Sequence, residues 1–194
     1  MNKALTALFF IVALLTGCAG MRLVDSQVNS FATMSVAAGS HYRFERLPSQ
    51  QTNPQVQARL EAMAEQALSK VGLTRDDGAA HYSVQVSATQ RAQQVVLEHP
   101  ILGWHSGWRV GHGGVFMGSG GLFPWMEART DYWREVGLIM RDRSTETVVF
   151  ESHAVHEGPW SDSAAVLPAM LDAALQGFPN PPLGVRRVNI EIAR

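Results

Sequence analysis

The sequence is poor in the residues that make chemistry easy to read. It holds a single cysteine, Cys18, among 194 residues, so no disulfide can form within the chain and the fold must rest on its hydrophobic core. Lysine is nearly absent, with only Lys3 and Lys70 beside the arginines. The 16 basic and 17 acidic residues give a formal charge of −1, without the basic excess that a nucleic-acid binder gathers on one face. No apolar run reaches the ~20 residues that a membrane-spanning helix requires. Enzyme signatures are missing too. Ser119 sits among glycines, but Met117 stands two residues before it, where a nucleophile elbow needs glycine. No glycine-rich run is followed by the lysine of a phosphate loop, and none has dinucleotide-binding spacing. Glu127 and Asp131 are four apart, as are Asp142 and Glu146, but they fall at turns and strand ends where carboxylates are ordinarily solvated. With no third group in view, no catalytic residue and no cofactor are expected.

What is present begins at the N-terminus. Lys3 supplies a positive flank, Ala4 to Leu15 is apolar except for Thr6, and the small residues Thr16 and Gly17 precede Cys18. This is the layout of a secretory signal peptide. The run is too short to span a bilayer and has neither the caps nor the polar face of a core helix. Leu15-Thr16-Gly17-Cys18 resembles the lipobox read by bacterial lipoprotein signal peptidase. The resemblance implies cleavage before Cys18 and a diacylglyceryl thioether on its sulfur. One acyl chain holds a protein only marginally, at about 0.8 kcal/mol per buried methylene, so two or three on one residue anchor it firmly. Ala19 and Gly20 follow where aspartate would signal retention in the inner membrane. By resemblance to that sorting rule, the expected address is the periplasmic face of the outer membrane. Removing residues 1–17 leaves 177, one domain of ordinary size, with 15 basic and 17 acidic residues and a formal charge of −2.

Residues 18–40 read as a lipidated tether with a first strand over Asp25 to Phe31, and 41–194 as an α+β domain. In His41 to Leu47, Tyr42 and Phe44 alternate with Arg43 and Glu45, the period of a half-buried strand, which Pro48 closes. Asn53 to Gly72 predicts a helix: Asn53 is placed to cap it, Pro54 suits the first turn, and Gly72 suits a left-handed C-terminal cap. Its apolar face is expected to carry Val56, Leu60, Met63, Ala67 and Val71, with Leu73 folding back on Leu68. His81 to Thr89 alternates as a strand with one wet face and extends toward Leu97. Asp131 to Arg141 and Thr147 to His156 read as a hairpin about a polar turn. Ser163 to Gly177 is a second helix with Pro168 near its start, and Val188, Ile190 and Ile192 alternate in a last strand. The expected architecture is a single domain with two helices on one face of a mostly antiparallel sheet of about five strands.

Several of these stretches together resemble an uncharacterised family of bacterial lipoproteins, known as a domain of unknown function. The likeness rests on the lipobox, on Tyr42-Arg43-Phe44-Glu45 before a helix, and on His81-Tyr82-Ser83-Val84-Gln85-Val86. A Gly-aromatic insertion follows, then Leu138-Ile139-Met140-Arg141-Asp142 paired with Val148-Val149-Phe150, then Phe178-Pro179-Asn180-Pro181-Pro182. It covers most of residues 25–182. It departs at Phe150, followed by Glu151-Ser152 where an aromatic followed closely by glycine is expected. The family carries no established activity, so the resemblance implies fold and location and no catalytic residue.

The insertion, 99–130, is longer than a simple connection needs, and long segments of this kind are usually functional or unstructured. Eight of the nineteen residues from Gly103 to Gly121 are glycine. Among them stand Trp104, Trp108, Phe116, Phe123 and Trp125, with Arg109 the only full charge between His99 and Met126 apart from Glu98 just before them. Three readings compete: a flap folded back on the sheet edge or the helices, a surface for a partner or membrane, and a metal site. His99, His105 and His112 are weak metal candidates, because their spacing is loose and neither cysteine nor a supporting carboxylate is grouped with them. His153 and His156 are three apart, on opposite faces of a strand. The expected function is therefore a lipid-anchored, non-enzymatic binding or envelope-maintenance module, with the membrane and an envelope protein as partners and no nucleic acid. The competing expectation is a periplasmic hydrolase without a recognisable motif.

Overall fold

Alternation along the strands decides the layering. In the computed structural model, which describes residues 20–99, 106–111, 114–119 and 125–193, strand β1 runs Met21–Ala32 with its even-numbered residues from Val24 to Ser30 buried and its odd-numbered ones turned outward. β2 is His41–Phe44, and a short 3-10 turn, Pro48–Thr52, leads into helix α1, Pro54–Lys70. β3, Thr74–Arg75, is followed by β4, Tyr82–His99, the hairpin strands β5, Ser106–Gly111, and β6, Gly114–Ser119, and then β7, Trp125–Asp142. β8 is Val148–Gly158, α2 is Ser163–Ala174 and β9 is Arg186–Ala193. One seven-stranded sheet has the order β3-β2-β4-β7-β8-β1-β9. β2 pairs in parallel with β3 and β4, because the chain crosses over through α1 between them. All other pairs in the sheet are antiparallel.

The expected α+β architecture with two helices holds. The sheet has seven strands where about five were expected, since β3 is a two-residue edge too short for a periodic signal. The first strand also starts four residues before Asp25. Both helices lie on one face, where Val24, Val28, Tyr42, Leu68, Val84, Val86, Val136, Leu138, Met140, Phe150, Met170 and Leu171 form the core. Phe150 meets Phe178 edge to face, ring centres 5.0 Å apart.

The ends of α1 divide between expectation and correction. Its C-terminus closes with Gly72 at φ +85°, a region costly for residues with a Cβ. The Leu73 N–H donates to the Leu68 carbonyl at 3.1 Å and the Gly72 N–H to that of Ser69 at 3.0 Å, the paired bonds of a Schellman cap. At the other end the Asn53 side chain makes no capping bond. The inward face differs as well: Gln57, Leu60, Glu61, Ala64, Ala67 and Leu68 are buried, while Val56 is 59% exposed. Two polar side chains turn the helix. Gln57 donates to the Val86 carbonyl at 3.1 Å, a bond shared with Gln50 at 2.8 Å, which satisfies an edge carbonyl that β2 is too short to reach. Glu61 takes a two-pronged bond from Arg46, at 2.6 Å to each oxygen.

Candidate functional site: the projecting ribbon and its base

Beyond Tyr132, whose partner on β8 is Gly158, β7 has no neighbour on that side among the described residues. Pairing with β4 nevertheless continues for seven more positions, from Gln93 opposite Asp131 to His99 opposite Trp125. The two strands thus leave the sheet as a ribbon about 20 Å long at the usual rise per residue. Gln93, Gln94, Ala128, Arg129 and Thr130 are exposed on it, and Arg129 pairs with the buried Asp131 at 2.8 Å. This corrects the insertion's boundaries. His99 and residues 125–130 belong to long strands, and 106–111 pair with 114–119 in a two-stranded hairpin. In that hairpin Trp108 stands opposite Met117 and Arg109 opposite Phe116. Of the residues singled out in sequence, Trp108 and Phe116 therefore occupy paired strands, and Trp125 and His99 end the ribbon. Cys18, Trp104, Phe123, His105 and His112 lie outside the described residues.

The ribbon's base is pinned by a residue that sequence reading missed. Arg134 of β7 is fully buried. Its Nε donates to Ser163 Oγ at 3.1 Å and its Nη2 to the Trp160 carbonyl at 2.7 Å, while its guanidinium stacks over Tyr132 at 5.3 Å. Ser163 in turn donates to the Gln90 side chain on β4. Burial pushes the guanidinium's pKa down from its ordinary value. Arg134, Gln90 and Ser163 so tie the two ribbon strands to the first residue of α2, which Asp162 caps by accepting from the Ala165 N–H at 3.3 Å. Asp162 also holds Arg22 of β1 at 3.6 Å, and Arg22 lies over the Trp160 ring at 5.4 Å. The advance signal was its phase: Arg134 shares the even-numbered face of Val136, Leu138 and Met140, so period alone puts it inward and only its charge argues for the surface.

Between α1 and α2, over β4, lies an apolar cleft of about 400 Å³ lined by Val56, Leu60, Met63, Leu167 and Ala88. Its volume is in the range of small-molecule sites; of its polar residues, Gln50, Gln57 and Ser163 are engaged in the bonds just described, and Arg59 and Ser87 complete the lining. At the opposite end of the sheet from the ribbon, Arg43, Ser83 and Arg141 form one row across β2, β4 and β7, in an open charged cleft with Glu45, Asp142, Arg143 and Glu146.

The nearest approach to hydrolase chemistry is on the open face of the sheet. His153 stands opposite Gly137, and Ser87 stands opposite Gly137 on its other side. A Cβ on Gly137 would come within 2.8 Å of Ser87 Oγ and 3.4 Å of the His153 ring, so glycine is what lets both lean over the strand. His153 Nε2 lies 2.9 Å from Glu151 and Nδ1 lies 3.4 Å from Glu135. With both nitrogens turned to carboxylates, neither is placed to take a proton from Ser87. His156, on the opposite face as its spacing requires, is buried with Nδ1 donating to the Asp25 carbonyl at 2.7 Å. Among the described residues no three histidine, cysteine or acidic side chains are grouped to hold a metal ion.

A family model matches this chain over residues 24–180. The chain belongs to DUF4136, a domain of unknown function. The match takes in every strand and helix described above except β9 and the first residues of β1. Among solved structures, this DUF4136 domain is similar to a PDZ domain protein from Parabacteroides distasonis, at 15% identity and TM-score 0.51. The alignment covers 98% of this chain and 43% of that one, so the chain spans less than half the length of that structure. At such identity the likeness is one of fold. A weaker similarity, at 14% identity and TM-score 0.45, is to PelC from Paraburkholderia phytofirmans, crystallised as a dodecamer, over 81% of this chain and 99% of that one. No curated protein matches the chain.

Proposed function

We propose that this DUF4136 protein is a lipid-anchored lipoprotein of the cell envelope, held through Cys18 at the periplasmic face of the outer membrane. It acts there as a non-enzymatic binding or envelope-maintenance module, and its contact element is the β4–β7 ribbon with the Gly/Trp-rich segment it carries. The observation behind this reading is that β4 and β7 stay paired for seven positions past the rest of the sheet. Exposed two-stranded ribbons are marginally stable alone, and free strand edges invite pairing with other chains. A domain that maintains such an arm, and ties its base down through a buried arginine, uses it for contact. The aromatic residues placed on the arm by sequence, Trp108, Phe116 and Trp125, are of the types enriched at partner and membrane interfaces.

Two experiments test this. Replacing Cys18→Ser abolishes uptake of labelled fatty acid and releases the protein from membranes; persistence of both refutes the anchor. A photo-crosslinking residue at Gln93 or Thr130 in living cells yields discrete adducts, whereas the same residue at Ser144, at the far end of the sheet, yields none. Equal labelling at both ends refutes the ribbon as the contact element.

A further inference from the structure

The seven-stranded order ends at β9, which pairs with β1 and with no other strand among the described residues. The opposite edge, β3, is only two residues long. β9 runs for eight residues without proline, glycine or a break in register. In an antiparallel ladder alternate residues turn their N–H and C=O groups to opposite edges, so about half of those on β9 face away from β1. None of these makes a backbone hydrogen bond among the described residues. Such a row is a template for another strand, and proteins ordinarily blunt it with shortness, proline, a bulge or charge. β9 has only charge, and that charge is spaced to favour one partner.

On the sheet face away from the helices, β9 shows Arg187, Asn189, Glu191 and Ala193, all exposed. On the helix face Val188 is buried, and Ile190 and Ile192 are half-buried against the core. Arg187 and Glu191 stand two residues either side of Asn189. Let a second copy of β9 lie antiparallel along the first, with Asn189 opposite Asn189. Arg187 of each chain then faces Glu191 of the other, and Val188 faces Ile190. Opposite charges facing across a strand pair stabilise it, and like charges destabilise it. Centring the pair on Val188 sets Arg187 opposite Asn189, and centring it on Ile190 sets Glu191 opposite Asn189, so either slip loses both ion pairs. Within its own chain Arg187 lies 3.4 Å from the exposed Asp25, while Glu191 has no ion partner among the described residues. The apolar ends of the edge obey the same symmetry. Val185, just before β9, is 70% exposed, and Met21, opposite Ala193 on β1, is 62% exposed. The same register carries Val185 of one copy into the row of Ala193 and Met21 of the other.

We propose that β9 is a self-association edge: two copies of this chain join antiparallel through β9 about a two-fold axis at Asn189. The axis is perpendicular to the sheet, so one continuous sheet runs through both domains with the helices of both on the same face. The contact is isologous, each copy giving the other what it receives. It uses neither the ribbon nor Cys18, so it stands apart from the function proposed above.

The test uses the purified full-length chain in mild detergent, treated with the thiol oxidant diamide. Opposed residues of an antiparallel pair have Cα atoms about 4.5 or 5.5 Å apart, both within the roughly 4.4–6.8 Å that a disulfide spans. Asn189→Cys therefore gives a disulfide-linked dimer. Arg187→Cys, exposed on the same edge, does not, because its symmetry mate lies four residues along the strand, roughly 14 Å away. The unaltered chain, with Cys18 alone, sets the background. No bridging above that background, or equal bridging by both variants, overturns the proposal. The charge pairs are tested in the Asn189→Cys chain. Arg187→Glu leaves two acidic residues on the edge and Glu191→Arg leaves two basic ones, so either variant alone repels its own copy and bridges roughly tenfold less. Mixing the two variants restores bridging, now between unlike chains, which a variant that merely failed to fold could not do. Single variants that bridge as well as their parent, or a mixture that bridges no better than its components, overturn the register about Asn189 and the proposal with it.

Discussion

Replacing Arg134 is the sharpest test of how the ribbon is held. Its guanidinium is fully buried and bonds to the Trp160 carbonyl and the Ser163 hydroxyl, and among the described residues no carboxylate bonds to it. Arg134→Ala strands the Trp160 carbonyl at about 1–3 kcal/mol. The lost stem leaves a cavity, for which large-to-small substitutions cost about 2–5 kcal/mol. Removing a desolvated charge offsets part of this, since buried charges are expensive to hold. Ser163 keeps its bond to Gln90 and loses little. The net expectation is a loss of about 4 kcal/mol for Arg134→Ala, below the sum of its parts because of that offset. Arg134→Met keeps most of the stem volume while shedding the charge, so its expected loss is about 1–2 kcal/mol, the stranded carbonyl less the same offset. For a domain of this size each kcal/mol lowers Tm by about 2–4 °C. Arg134→Ala is thus expected near roughly 8–16 °C down and Arg134→Met near 2–8 °C down, on the same scale. Urea titration at constant m-value is the direct assay. If the methionine variant is as unstable as the alanine variant, the stem's packing is not what matters and the reasoning is wrong.

Glu61 is expected to make the protein acid-sensitive. Burial alone would raise its pKa, but hydrogen bonds from Arg46 and Gln57 and the charges of Arg46 and Arg75 outweigh this and hold the carboxyl below its usual range. Its stabilisation is therefore in full force above the unfolded glutamate value near ~4.3 and fades as pH falls through the lower folded value. In urea titrations Glu61→Gln should fall well below wild type at neutral pH, the gap closing at strongly acid pH; a gap independent of pH refutes the assignment. Gly72→Ala meets only ordinary van der Waals contact, with Ala38 Cβ 3.7 Å away, so its loss of about 1 kcal/mol is conformational and readable as a lowered Tm. Phe150→Ala, at a residue 1% exposed against Phe178, is expected to cost about 3–5 kcal/mol in the same titration.

Local periodicity was enough to read β4 from its alternation, the β7–β8 hairpin, the spans of both helices and the Gly72 cap, because burying one face of a strand or helix imposes its period on the residues themselves. The resemblance to a lipobox likewise rests on Leu15 to Cys18 standing in a row. Three features could not be read this way. The extension of β7 back to Trp125 leaves no alternation, since Met126, Glu127, Ala128, Arg129 and Thr130 follow no period of two, and ribbon pairing is backbone hydrogen bonding between residues up to some forty apart in the chain. The inward turn of Gln57 and Glu61 in place of Val56 depends on Val86 and Arg46, which belong to other elements. Arg134 is in phase with Val136, Leu138 and Met140, but its charge argues for the surface until Trp160 and Ser163 are brought around it to take its hydrogen bonds. The sequence by itself determined the class of fold, the helix faces to within a rotation and the expectation of a lipid anchor. Only the tertiary structure decided that the start of β1 and the β4–β7 ribbon lie at the same end of the sheet, because register between distant strands is set by pairing across the sheet and by no single stretch of chain.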